Sequence, residues 1–244
     1  MPPGNSAILT YHSLDCSRSV ISTLPEVFKS HLEMLRVVGI PVCRLDQISF
    51  SPGAVAITFD DGFDNFREHA LPLIADYQVP ITVFVVSGYC GKQNSWPSQS
   101  PRVPRLPLMT WSSLREISAA GCELGSHTVT HPNLTELSSA ETQRELRQSK
   151  EEIEQRTGSS VRSFAYPYGA VNPRISALTS AQFDRACGTR LKLLTPSADH
   201  TCLPRIDAYY LRGTRHLKTL LQKEGQSRIA IRRLGREARQ WLFQ

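Results

Sequence analysis

The residues Ala54-Val-Ala-Ile-Thr-Phe-Asp-Asp-Gly-Phe63 pass without a break from six uncharged positions to two adjacent carboxylates. Ala54 to Phe59 reads as a buried strand, being short, apolar and partly β-branched. Carboxylates are rarely buried unless paired or bound to a metal. A strand that ends in Asp60-Asp61-Gly62 therefore sets two anions at the rim of a core. In α/β proteins the carboxyl ends of strands are where sites are built. Neighbouring side chains on a regular strand face opposite ways, so a shared site requires the strand to end and turn there. Gly62 permits that turn. The plainer alternative is a solvated turn with Asx-type hydrogen bonding.

The flanking sequence alternates strands with helices. Ala7 to Tyr11 reads as a first strand ending at His12. Pro25 to Val38 reads as a helix opened by Pro25 and closed by Gly39. A short strand at Ile40 to Cys43 follows. Beyond the Asp-Asp-Gly turn come a helix over Phe63 to Tyr77 and a strand over Val79 to Val86. Gly91 to Pro107 is a Ser- and Pro-rich loop carrying Trp96, either a plain surface loop or the wall of a groove. A helix runs from Met109–Ser112 to Ala120. A long polar helix capped by Ser138 or Ser139 runs to Arg156, with Gly158 beyond it. Its charges, Glu152 with Arg156 among them, read as a solvated face. Strands near Val161–Ala165 and Asp184–Cys187, with a helix between, complete the pattern. Continuous apolar strands alternating with helices indicate parallel pairing.

Two further segments share the chemistry of Asp60-Asp61. In Ser126-His-Thr-Val-Thr-His131 the two histidines stand four apart, a spacing that suits one face of a helical turn or a tight loop. Two imidazoles and a carboxylate form a common zinc or iron(II) ligand set that leaves positions open for water. In Val161-Arg-Ser-Phe-Ala-Tyr-Pro-Tyr-Gly169 a strand runs into aromatic residues around a proline.

In this order the three segments resemble the polysaccharide deacetylase family, also known as the NodB-homology domain or carbohydrate esterase family 4. Its T-F-D-D-G motif stands as Thr58 to Gly62. Its H-[ST]-x-x-H motif stands as His127 to His131. Its R-P-P-[YF]-G motif stands in variant form as Ala165-Tyr166-Pro167-Tyr168-Gly169. The likeness runs from about Ile8 to Asp207. It implies an α/β fold, a deformed (β/α)7 barrel forming a single catalytic domain over residues 1–210. It also implies metal-dependent hydrolysis of an N-acetyl group on a glycan. One divalent ion, zinc or else cobalt, nickel or iron(II), would be held by Asp61, His127 and His131. Asp60 would be the general base, and the Tyr168 backbone N–H the oxyanion donor.

The sequence departs from the family pattern twice. Ala165 stands where the family has an arginine beside the base. Arg205 in Leu203-Pro-Arg-Ile-Asp207 could supply that charge, with Asp207 as its partner. The second departure concerns the family's L-x-H general-acid motif, of which there is no clear copy. His12, part of a Tyr-His signature resembling one branch of the family, and His216 are the candidates.

The 244 residues carry a net charge of +6, with 40% hydrophobic and 20% charged positions, a globular composition. The charge is uneven. Residues 211–244 hold nine Lys and Arg against Glu224 and Glu237, so the remainder is close to neutral. This basic extension has a helical pattern with arginines on one side and Ile231, Leu234, Ala238, Trp241 and Leu242 on the other. It would pack on the barrel or lie on an anionic membrane surface. It carries no nucleic-acid motif. The six cysteines are scattered without a C-x-x-C pair, and the start has no basic and apolar leader pattern, so a cytoplasmic protein with reduced thiols is expected. Three functions remain open: a glycan N-deacetylase, a hydrolase of other linear or cyclic amides, and a non-catalytic glycan-binding relative. The last is disfavoured because all the ligand and base residues are present.

Overall fold

The computed structural model describes residues 5–211 and Leu217. Strand β1 (Ala7–Tyr11) is followed by a short parallel pair, β2 (Ser13–Leu14) and β3 (Ser22–Thr23), then helix α1 (Pro25–Val38) and β4 (Val55–Phe59). Next come α2 (Asn65–His69), α3 (Leu71–Tyr77), β5 (Ile81–Val85), α4 (Trp111–Ala119), β6 (Glu123–Ser126) and α5 (Ser139–Thr157). The chain continues through β7 (Ser163–Ala165), α6 (Pro173–Ser180), β8 (Arg185–Cys187) and β9 (Ile206–Asp207). Seven strands form one all-parallel sheet in the order β8-β7-β6-β5-β4-β1-β9. Leu203, just before β9, makes a parallel bridge to Cys187 of β8, so the segment from Leu203 to Asp207 spans both edges of the curled sheet. This is the deformed seven-stranded barrel that the family likeness leads one to expect, with the parallel pairing that the βα pattern indicates.

Alternation along the strands separates two cores. Leu9, Tyr11, Val55, Ile57, Phe59, Val83 and Leu124 pack with helix residues such as Phe28, Leu32, Leu114, Leu146 and Ile153. Their neighbours Ile8, Ala56, Phe84, Ala165 and Cys187 form the inner cluster. Phe28 of α1 meets the Tyr11 and Phe59 rings edge-on at 5.0 and 5.4 Å, which fixes the strand ends carrying the site. Below them Tyr11 Oη lies 2.8 Å from His31 Nδ1, and His31 Nε2 lies 2.9 Å from the Leu211 carbonyl.

Helix α1 ends at Gly39 in the left-handed region, φ 72°, as its sequence requires. Helix α5 starts with a reciprocal capping box between Ser138 and Glu141 and stops at Gly158, φ 73°. Three expectations change. The helix from Phe63 to Tyr77 is two helices that meet at Ala70, and Pro72 suits the first turn of the second. The strand at Ile40–Cys43 shrinks to a bridge between Val42 and Val55, because Pro41 has no N–H to extend the ladder. Glu152 turns from the solvated face of α5 to accept the Ser87 hydroxyl at 2.6 Å and the Gln148 amide at 2.8 Å, while the Arg156 guanidinium lies over the Trp111 ring. Among the described residues no helix is long and apolar enough to cross a membrane. The extension 211–244 lies outside the described residues, apart from Leu211 and Leu217.

Candidate active site

The inner face of β1 and β4 turns polar toward its carboxyl end. Above Ile8 and Ala56 come Thr10 and Thr58, whose hydroxyls meet at 3.0 Å, and then Asp60 in the same alternation. Asp60 therefore points into the barrel mouth. Asp61 reaches the same space because its own backbone is left-handed, φ 70°, and Gly62 follows at φ 77°. The turn thus begins one residue earlier than the glycine suggests, at a residue type that tolerates this region.

Arg205, fully buried just ahead of β9, clamps Asp60. Its Nη1 and Nη2 donate to the two carboxylate oxygens at 2.7 Å each, Nη1 also reaches Thr58 Oγ1 at 3.2 Å, and Nε donates to the Gly188 carbonyl at 2.9 Å. Burial works to raise the Asp60 pKa. The Arg205 charge, aided by His127, by the hydrogen bonds and by His12, outweighs burial and holds it at about 2. Asp207, expected to partner Arg205, instead accepts the Tyr209 N–H at 2.9 Å through Oδ1. Its carboxylate caps the turn after β9 and acts on Arg205 as a neighbouring charge, while the guanidinium hydrogen bonds go to Asp60, Thr58 and Gly188.

The two histidines sit on a tight loop after β6, not on a helical turn, with Thr128 at φ 70° and His131 at φ 56°. Hydrogen bonding fixes both rings. His127 Nδ1 lies 2.7 Å from the Ala165 carbonyl, which can only accept, so Nδ1 carries the proton. Ser98 donates its hydroxyl proton to the His131 carbonyl at 3.1 Å, and Tyr168 Oη lies 2.8 Å from Ser98 Oγ. Tyr168 must then donate to Ser98 and accept from His131 Nδ1, 3.0 Å away. Both Nε2 atoms are left bare. They lie 3.5 and 3.4 Å from Asp61 Oδ1, an oxygen that is buried without a hydrogen-bond partner. Burial raises the Asp61 pKa, and it lowers that of His131, further depressed by His127. The three ligand atoms fall within 4.8 Å of one another. An orphaned buried carboxylate oxygen facing two unprotonated imidazole nitrogens is the donor set of a divalent cation, and these residues fit one.

A cavity of about 480 Å³ opens over this cluster, with His12, Arg205 and Tyr166 also lining it. His12 Nε2 lies 3.9 Å from Asp60 Oδ2. Tyr168 and Tyr209 stand partly exposed at the mouth. Tyr168 is left-handed at φ 59°, the fourth such non-glycine residue at this site. The loop carrying Trp96 walls this cavity, one of its two expected roles, through Trp96, Ser98, Gln99, Ser100 and Val103, and Trp96 does so from a buried position. It is 2% exposed and stacks on His131 with centroids 4.3 Å apart. Its contact and the Ser98 bonds were not legible in a loop of small polar residues. His216 lies outside the described residues.

A family model described as polysaccharide deacetylase matches residues 48–185, more than half of the chain. The chain belongs to the polysaccharide deacetylase family. The match includes Asp60, Asp61, His127, His131 and Tyr168, and it stops short of His12 and Arg205, which the fold brings to the same cavity. Within the polysaccharide deacetylases, the chain is 26% identical over 167 residues to the poly-β-1,6-N-acetyl-D-glucosamine N-deacetylase of Staphylococcus aureus, covering 64% of this chain and 55% of that protein. It thus spans about half the length of that curated relative. The deacetylase PplD of Streptococcus pyogenes, solved with acetate, superposes with a TM-score of 0.71 at 20% identity over 84% of this chain and 92% of that one. IcaB from Ammonifex degensii gives 0.73 at 22% identity over 84% and 94%. Both likenesses establish a shared fold.

Proposed function

We propose that the protein is a metal-dependent N-deacetylase acting on a glycan that contains N-acetylglucosamine. The reading rests on one observation above all: a buried Asp61–His127–His131 cluster with an orphaned carboxylate oxygen, directly beside a second carboxylate held ionised by Arg205. A divalent ion on that cluster, zinc being the first choice for two nitrogens and an oxygen, would acidify water and polarise the amide carbonyl. Asp60 is the general base that takes the proton from water. Arg205 keeps it anionic and fixes the plane of its carboxylate. The Tyr168 N–H is assigned to the developing oxyanion, where loss of one such donor costs about 3 kcal/mol. His12, close to Asp60 and lining the same cavity, is assigned the delivery of a proton to the leaving amine, which these two contacts support. With Arg205 in place, Ala165 needs no side-chain cation, and its carbonyl serves to orient His127.

The substrate class is supported by the Staphylococcus aureus relative's name and by the open cavity with Tyr168 and Tyr209 at its mouth, since tyrosine faces suit sugar rings. Acetate release from a panel of N-acetylated oligosaccharides, with chelation and metal add-back, tests it. Release that grows with chain length supports a glycan substrate. Release only from small amides assigns the site to the other hydrolase class, and no release under any metal sinks the enzymatic reading.

A further inference from the structure

The loop from His127 to His131 has five backbone amides, and each has a traceable acceptor. His127 N–H goes to the Val85 carbonyl at 2.9 Å, Thr128 N–H to Ser126 Oγ at 3.4 Å, and His131 N–H to Thr128 Oγ1 at 2.9 Å. The remaining two, Val129 and Thr130, both donate to Glu145 Oε2, at 2.8 and 3.0 Å. Glu145 Oε1 also accepts the Thr130 hydroxyl at 2.8 Å. Glu145 comes from α5, a 19-residue helix pinned by its capping box and by buried Leu146, Ser149 and Ile153. The loop carbonyls are held from the opposite side. Ser87 N–H donates to Thr128 O at 3.1 Å and Gly88 N–H to Val129 O at 3.0 Å. A Cβ on Gly88 would stand 2.7 Å from that Val129 oxygen, so the approach needs glycine.

Thr128 and His131 pay for left-handed backbones, which persist only where the surroundings over-determine them. From these bonds we infer that Glu145 is a positioning residue for the ion-binding site: it folds the loop that aims His127 and His131 at Asp61. The inference builds on the metal-dependent function proposed above. Three charge-assisted bonds from one carboxylate fix the segment between the two imidazoles, and hydrogen-bond partners behind metal ligands typically carry 10–100-fold in affinity.

A second glutamate on α5 supplies the control. Glu154 accepts the Val161 N–H at 2.9 Å, a comparable bond on the same helix that leads away from the histidine loop. Zinc affinity of the full-length, metal-stripped protein is measured by competition with a chromophoric chelator for wild type, Glu145→Ala, Glu145→Gln and Glu154→Ala, alongside melting temperatures. Glu145→Ala is expected to bind zinc about 10–100-fold more weakly. Glu145→Gln, which keeps one acceptor oxygen, falls between it and wild type and serves if the alanine variant does not fold. Glu154→Ala melts lower yet keeps wild-type affinity. Wild-type affinity in the Glu145 variants, or an equal loss in Glu154→Ala, overturns the inference. A wild-type protein that binds no zinc removes the metal-dependent reading itself, a different result.

Discussion

Replacing Arg205 with methionine removes both hydrogen bonds to Asp60 and leaves a buried carboxylate without its cation. In the wild type Asp60 sits at about 2 against an ordinary 3.8. A carboxylate depressed in this way stabilises the fold above its unfolded pKa and loses that contribution as pH falls through the folded one. The shift corresponds to about 2 kcal/mol at neutral pH. Without Arg205, burial acts with its main opponent gone, the sign reverses, and the total loss should reach about 3–5 kcal/mol. Urea unfolding of metal-stripped wild type, Arg205→Met, Asp60→Asn and the double variant at pH 7 measures it. The double variant should be about 2 kcal/mol more stable than Arg205→Met, because it no longer buries an uncompensated charge. The deficit of Arg205→Met should also shrink toward pH 4, where Asp60 protonates. In turnover assays kcat should fall far more than KM rises. Strictly additive losses, or a deficit independent of pH, would refute the account of this pair.

Asp61→Asn, His127→Ala and His131→Ala should each lose bound metal, whereas Asp60→Asn should keep it and lose about 10²–10⁴-fold in kcat; metal analysis and rates on the four variants check this, and a metal-free Asp60→Asn beside a metal-bound Asp61→Asn reverses the roles. His31 is held neutral because burial lowers its pKa from 6.5 to about 4 against the bond to Leu211, so its contribution is complete above pH 6.5 and is lost as pH falls toward 4, about 3 kcal/mol in all. His31→Gln should flatten that part of the pH–stability curve, and an unchanged acid limb rules His31 out. Removal of residues after Gln226 separates the two readings of the basic extension: a membrane-surface helix, with each arginine contributing about 1 kcal/mol, predicts lost sedimentation with anionic vesicles at low salt, whereas a helix packed on the barrel predicts a lower melting temperature instead. A full-length protein that ignores such vesicles ends the membrane reading.

Much of the fold is local in origin and therefore legible. Helix α1 matches its expected bounds because Pro25 and Gly39 punctuate it with conformations of their own. The Asp-Asp-Gly and His-x-x-x-His segments carry chemistry at fixed spacing, and the structure brings them together. What escaped the sequence depends on contacts between distant segments. The polar loop carrying Trp96 reads equally as surface or groove wall, and only the fold sets Trp96 against His131 in the cavity wall. Asp207 looked like a hydrogen-bond partner for Arg205 by proximity in sequence, and both line the cavity, yet the fold brings the Asp60 carboxylate within reach of the guanidinium and the Tyr209 N–H within reach of Asp207. The Glu145 carboxylate reads as one more charge on a solvated helix until the loop it serves is folded beneath it.

The segment from Leu203 to Asp207 has a consequence for how the protein is made. Leu9 pairs with Ile206, so the first strand waits for nearly the whole described domain to be synthesised before its second neighbour exists. A chain emerging amino end first can assemble Asp61, His127 and His131 while Arg205 is still within the ribosome. During that interval Asp60 has no counter-charge and the sheet has an unpaired edge beside β1, a state open to mispairing. Docking of a five-residue segment then supplies the cation, covers the edge and bridges β8 in one event. The counter-charge of Asp60 and the second neighbour of β1 thus arrive together, on a segment made long after the Asp61, His127 and His131 cluster.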